Sequence, residues 1–171
     1  GKRKEEKYAK FRSALEDNRD ELTTELQLLV EKRFGPGSSL TGLSFAMVHR
    51  RVAVSHLQIV SAGGDEIAWS IIAKVARNTE GEFQRMLALW KSGYNAAQPF
   101  GVRMCEPLAF SVPSRTLFME RVEGHTSRNV MRESGSIEPA RNAARALLQL
   151  HALPVQVEGR SKVRGLETTS I

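Results

Sequence analysis

At Phe34-Gly35-Pro36-Gly37 the hydrophobic period of this chain changes, and that change constrains the fold more than any other feature. Before it, from Lys4 to Lys32, Tyr8, Phe11, Leu15, Leu22, Leu26 and Leu29 recur at spacings of three, four and seven with Glu and Lys between them. This is the pattern of one long amphipathic helix, which the Gly-Pro-Gly run then stops. After it the apolar residues gather in short runs rich in β-branched and aromatic side chains: Leu43 to Val48, Val52 to Val60 and Glu66 to Val75. These runs predict three strands, with Ala62-Gly63-Gly64-Asp65 as the turn between the second and third. In the last run Ile67, Trp69, Ile71, Ala73 and Val75 share one face, so Lys74 belongs to the other.

The second half of the chain returns to helical spacing and then alternates again. Thr79 reads as an N-cap with Glu82 as its capping-box partner, opening a helix that carries Phe83, Met86, Leu87, Leu89 and Trp90 and ends near Gly93. Met104 to Val112 and Arg115 to Val122 read as two strands about a reversal at Pro113-Ser114. Beyond Gly124 two helices are expected, around Ser127 to Arg132 and from Ser136, with Pro139 in the first turn, to His151. The polar stretch after Pro154 has no period and reads as loop.

Composition removes whole classes of function. With 171 residues, 41% of them hydrophobic and 26% charged, the chain makes one globular domain rather than a disordered polymer. No run nears the ~20 apolar residues of a bilayer span, and Gly1-Lys2-Arg3-Lys4 is unlike a secretion signal. A single cysteine, Cys105, excludes an internal disulfide and points to a reducing, cytoplasmic setting. Lys+Arg 25 against Asp+Glu 19 gives a net charge of +6. The cations fall in separate clusters, Lys2 to Lys10, Arg50-Arg51 and Arg160 to Arg164, with few aromatics among them, so nucleic acid is a poor expectation. His49, His56 and His125 show no ligand spacing with one another or with Cys105, so no metal site is expected. Cys105 reads as an inert strand thiol, His151 as a helix-end histidine, and no serine sits in a Gly-x-Ser-x-Gly elbow.

Three segments carry a family resemblance. Ile71-Ile72-Ala73-Lys74, followed by Glu82 and then Met86 and Leu89, resembles the lysine strand and glutamate helix of kinase-like folds, in which a carboxylate on a helix holds a strand lysine against nucleotide phosphates. Leu117-Phe118-Met119-Glu120-Arg121-Val122-Glu123-Gly124 resembles the hinge of the aminoglycoside phosphotransferase and choline kinase branch. Leu147-Leu148-Gln149-Leu150-His151 resembles the helix that opens that family's second lobe. The resemblance spans about residues 40 to 152. It implies an α+β fold: a five-stranded antiparallel sheet with one packed helix, preceded by the long amphipathic helix and followed by the first helices of a helical lobe. The divisions it suggests are 1–36, 37–123 and 124–171.

What the resemblance implies for function is specific. Lys74 holds the α- and β-phosphates of ATP and Glu82 fixes it; Met119 stands behind the adenine, while the Glu120 carbonyl and the Val122 amide contact it. The segment His49 to Ser55 covers the phosphates but contains no glycine, which leaves the Ser55 hydroxyl, with Arg50 or Arg51, as substitute contacts. The family's His-x-Asp-x4-Asn loop and later metal-binding Asp do not occur in the 171 residues. The expectation is therefore an ATP-binding part of a small-molecule phosphotransferase acting on a hydroxyl acceptor, with Mg ligands and catalytic residues outside this chain and no activity of its own. The alternative is a non-catalytic kinase-like module that uses its N-terminal helix to dock on a partner or a second copy.

Overall fold

The structure, a computed structural model, describes residues 2–95 and 103–152, with side chains from residue 8 onward. In chain order the elements are α1 (Lys2–Asp17), α2 (Arg19–Phe34), β1 (Ser39–His49), β2 (Val52–Val60), β3 (Glu66–Lys74), α3 (Thr79–Lys91), β4 (Pro107–Ser111), β5 (Thr116–Glu120), α4 (Ser127–Ser134) and α5 (Glu138–Ala152). The expected polar loop after Pro154 lies outside the described residues.

The chain is α+β, with all five strands in one antiparallel sheet of order β1-β2-β3-β5-β4. The first three strands form a meander; the Gly64 amide donates to the Ser61 carbonyl at 2.9 Å in the turn that joins β2 to β3, with Gly64 at φ 90. α3 carries the chain from β3 past β5, so β4 becomes an edge and β5 fills the gap beside β3. Both edge strands are irregular. β1 shifts register at Leu40/Gly42 and again at Met47/His49, and β4, which starts on Pro107, shifts once before Ala109.

The long N-terminal helix is two helices. At Asn18 the backbone leaves the helical region (φ -106, ψ 22), and the Asn18 side-chain amide donates to the Ala14 carbonyl at 2.7 Å. An asparagine that serves a local carbonyl in this way competes with the next helical hydrogen bond, which an apolar stripe does not register. The stripe nevertheless stays on one side: Phe11, Leu15, Leu22, Leu26, Leu29 and Val30 are buried in one cluster with Ala53, Leu57, Ile59, Ile71, Ala73 and Phe118 of the sheet. The side chains considered for docking are thus covered by the chain's own strands.

Polar side chains fix how the helices lie on the sheet. The Gln27 amide donates to the Ser38 carbonyl at 2.9 Å and accepts from the Leu40 amide at 2.7 Å, tying α2 to the start of β1. Arg19 donates to the Leu43 carbonyl at 2.6 Å and lies over the Phe45 ring. Phe34 meets Trp69 edge to face at 5.3 Å, and Arg33 pairs with Glu106 at 3.0 Å.

Several predicted boundaries move, among them the start of β1, which lies at Ser39 and not at Leu43. α3 is capped by Asn78 rather than Thr79: Asn78 Oδ1 accepts from the Gly81 amide at 3.1 Å, while Thr79 Oγ1 bonds back to Ala76. Gly81 permits that cap, because a Cβ there would lie 2.5 Å from Asn78 Nδ2. Strand β4 starts at Pro107 instead of Met104, whose amide donates to Asn95 Oδ1 at 2.9 Å and so turns away from a ladder. Strand β5 ends at Glu120, short of Val122.

Candidate functional site

Side chains on paired antiparallel strands alternate between the two faces of the sheet. Ala53, Ala73 and Phe118 stand in register and belong to the face under α1 and α2. Val52, Lys74 and Leu117 stand in register one residue away, as do Val54, Ile72 and Met119, so these belong to the opposite face. That face receives α3, where Phe83 stacks on Phe110 at 6.1 Å.

The two residues expected to pair do so. Lys74 Nζ lies 2.5 Å from Glu82 Oε1, which joins the end of β3 to the first turn of α3. The geometry follows from the cap: with Asn78 satisfying the Gly81 amide, Glu82 is released from a capping box and its carboxylate turns to the lysine. Both side chains remain partly open, 35% and 26% exposed, so the ammonium keeps access to solvent and to any anion brought against this face. Such a pair fixes a flexible lysine stem more than it stabilises the fold, since exposed pairs contribute about 0.2–1 kcal/mol.

Met119 is half-buried on the same face as Lys74, two residues along β5 from the Leu117 that pairs with it. Glu120 and Val122 line a hollow of ≈ 440 Å³ with Arg103, Met104, Arg121 and Glu123. The Glu120 backbone amide donates to the Glu106 carbonyl at 2.8 Å, and its carboxylate accepts from the Glu106 amide at 3.2 Å. Burial, with the Glu120 carboxylate next in effect, pushes the Cys105 thiol above its ordinary pKa. Cys105 precedes β4 instead of lying in the expected strand, and a raised pKa disfavours the thiolate that a nucleophile requires.

Ser55 does not join these residues. It pairs with Phe45 and Ile71, is fully buried on the helix-covered face, and its hydroxyl has no hydrogen-bond partner among the described residues. The substitute phosphate contact expected of it is therefore set aside. In its place the Lys74 face carries a pair not singled out from the sequence, His56 Nδ1 and Ser70 Oγ at 2.9 Å. Both share Lys74's parity along β2 and β3, which is the one signal that marks them beforehand. Among the described residues no group of three or more His, Cys, Asp or Glu is placed to hold a metal ion, and no helix is long and apolar enough to cross a membrane.

Comparison of the chain with protein-family models, with curated proteins and with solved structures gives no match.

Proposed function

We propose that the Lys74 face binds ATP in the manner of a kinase-like N-terminal lobe, and that this chain is the nucleotide-holding part of a small-molecule phosphotransferase. The observation that carries the reading is the Lys74–Glu82 pair. A strand ammonium, tethered by a helix carboxylate and still reachable from solvent, is suited to neutralise α- and β-phosphate oxygens. Support comes from the sheet order with α3 inserted between β3 and β4, and from Met119 on the same face. Glu120 lies three strand residues from the register position of Lys74, roughly 10 Å along the sheet. An extended nucleotide spans that separation between base and phosphates.

In this reading Lys74 orients the phosphates, Glu82 holds the lysine stem, Met119 forms the apolar wall behind the base, and the backbone of Glu120 and Val122 meets the adenine edge. The described residues supply no cluster for Mg, so the ligands for the metal that accompanies ATP, the general base and the acceptor pocket are assigned to residues other than these. The hydroxyl acceptor is left at that chemical class, and the reducing, cytoplasmic setting rests on the lone cysteine.

Calorimetric titration with ATP tests the proposal. The parent chain is expected to bind ATP without hydrolysing it, and Lys74→Met is expected to weaken binding by about tenfold or more, the loss of a charge-assisted contact, with an unchanged circular dichroism spectrum. Equal affinity in the two proteins would remove Lys74 from the site and the reading with it.

A further inference from the structure

A second concentration of charge lies at the end of the sheet where the β1–β2 and β4–β5 turns meet α1. A hollow of ≈ 410 Å³ there is walled by Lys10 and Phe11 of α1, Arg50 and Arg51 of the β1–β2 turn, and Ser114 and Arg115 of the β4–β5 turn. Neither Lys74 nor Glu82 lines it, and among the described residues no acidic side chain does. Among the described residues Lys10, Arg50, Arg51 and Arg115 make no ion pair, side-chain hydrogen bond or ring contact. Four cations gathered from three distant segments repel one another unless an anion joins them.

Two independent features show that the hollow is built rather than incidental. Ser114 is 6% exposed, and its buried hydroxyl has no hydrogen-bond partner among the described residues, a cost that a ligand oxygen removes. Arg115 adopts φ 51, the only non-glycine residue in the left-handed region among those described, so a guanidinium is kept where the backbone favours glycine. Backbone hydrogen bonds hold the turns in place: the Val75 amide, just past β3, donates to the Arg51 carbonyl at 3.0 Å and the Arg115 amide to the Val112 carbonyl at 3.2 Å. The buried Phe11 ring adds an apolar wall for the uncharged part of a ligand.

We propose that this hollow is a binding site for a small phosphorylated molecule, a compact organic body bearing a phosphomonoester or diphosphate. Arginine forks match phosphate oxygens in pairs, four positive charges suit a dianion or trianion, and a half-open hollow of ≈ 410 Å³ has the size of a small molecule. The site uses none of the residues on the Lys74 face; Arg50 and Arg51, expected as substitute phosphate contacts for the nucleotide, line this hollow instead.

The test is calorimetric titration of the chain with pyrophosphate and with a sugar phosphate, at ionic strength matched by chloride. In a Lys74→Met background, which removes the phosphate-binding lysine of the nucleotide face, saturable one-site binding is expected, weakened about tenfold or more by adding the Arg51→Ala/Arg115→Gly double substitution and about threefold by adding Ser114→Ala. Glycine at position 115 suits the left-handed backbone; should the double variant lose its circular dichroism spectrum, Arg115→Gly alone carries the comparison. The proposal is overturned by heat that disappears at matched ionic strength, by equal affinity in the arginine variants, or by loss of binding in Lys74→Met, which would move the phosphate to the opposite face. Association with anionic vesicles in the absence of pyrophosphate binding would overturn it as well, by showing a membrane-directed cluster.

Discussion

Under α1 and α2, Ala53, Leu57, Ile71 and Ala73 are fully enclosed, whereas one residue along the same strands Val54, His56, Ile72 and Lys74 stay half-open. The enclosed face is mainly apolar, with Ser55, Ser111 and Thr116 as its buried polar residues, and is packed by two helices. The half-open face mixes apolar residues with a histidine–serine hydrogen bond and an ion pair, and α3 covers part of it. The contrast separates stability from chemistry within a single sheet: one face supplies the area removed from water, which frees the other to present charge.

Substitutions that remove similar volume from each face measure how far that separation goes. Leu26→Ala, inside the helix-covered core, is expected to cost about 2–5 kcal/mol in urea unfolding, because a fully packed site leaves a cavity. Ile72→Ala on the open face is expected to cost about half as much or less, since solvent already reaches part of the side chain. Equal losses would mean that both faces are equally structural.

The next effect is smaller. Glu82→Gln is expected to lower stability by at most about 1 kcal/mol, and less at high salt, as befits a part-exposed pair. Its ATP affinity should fall while the fold stays; a large stability loss with unchanged ATP affinity would make the pair a structural strut.

The smallest effect concerns rate rather than stability. Because burial and the Glu120 charge raise the Cys105 pKa, less thiolate is present at pH 8 than in free cysteine, and alkylation by iodoacetamide is expected to be slower. Glu120→Gln removes the charge but keeps the backbone, so it should lower that pKa and speed alkylation without changing ATP binding. An unchanged alkylation rate in that variant would place the carboxylate too far away to act.

Much of the fold is legible because β2 and β3 alternate cleanly and turn residues separate them, while Lys74 declares its face by parity alone. The misses have local causes. Asn18 and Asn78 act through single side-chain hydrogen bonds that no hydrophobic period reports, and Asn95 draws Met104 away from β4 across nine residues. Ser55 is legible by the same parity, since it shares the apolar face of β2 with Ala53, Leu57 and Ile59; the phosphate contact expected of it comes from the family resemblance and not from the strand pattern. The cationic hollow lay further out of reach. Its charged and polar walls come from residues 10, 50, 51, 114 and 115, which only the folded sheet brings to one end.

The irregular edges of the sheet have a consequence beyond shape. An open strand with a regular ladder invites a strand from another molecule, and repeated additions lead toward fibrils. Here β1 breaks its own ladder twice, and β4 is five residues long and begins on a proline, which lacks an amide hydrogen. An incoming strand therefore finds mismatched spacing along one border and a missing donor along the other, so the sheet resists templated growth at both of its open sides.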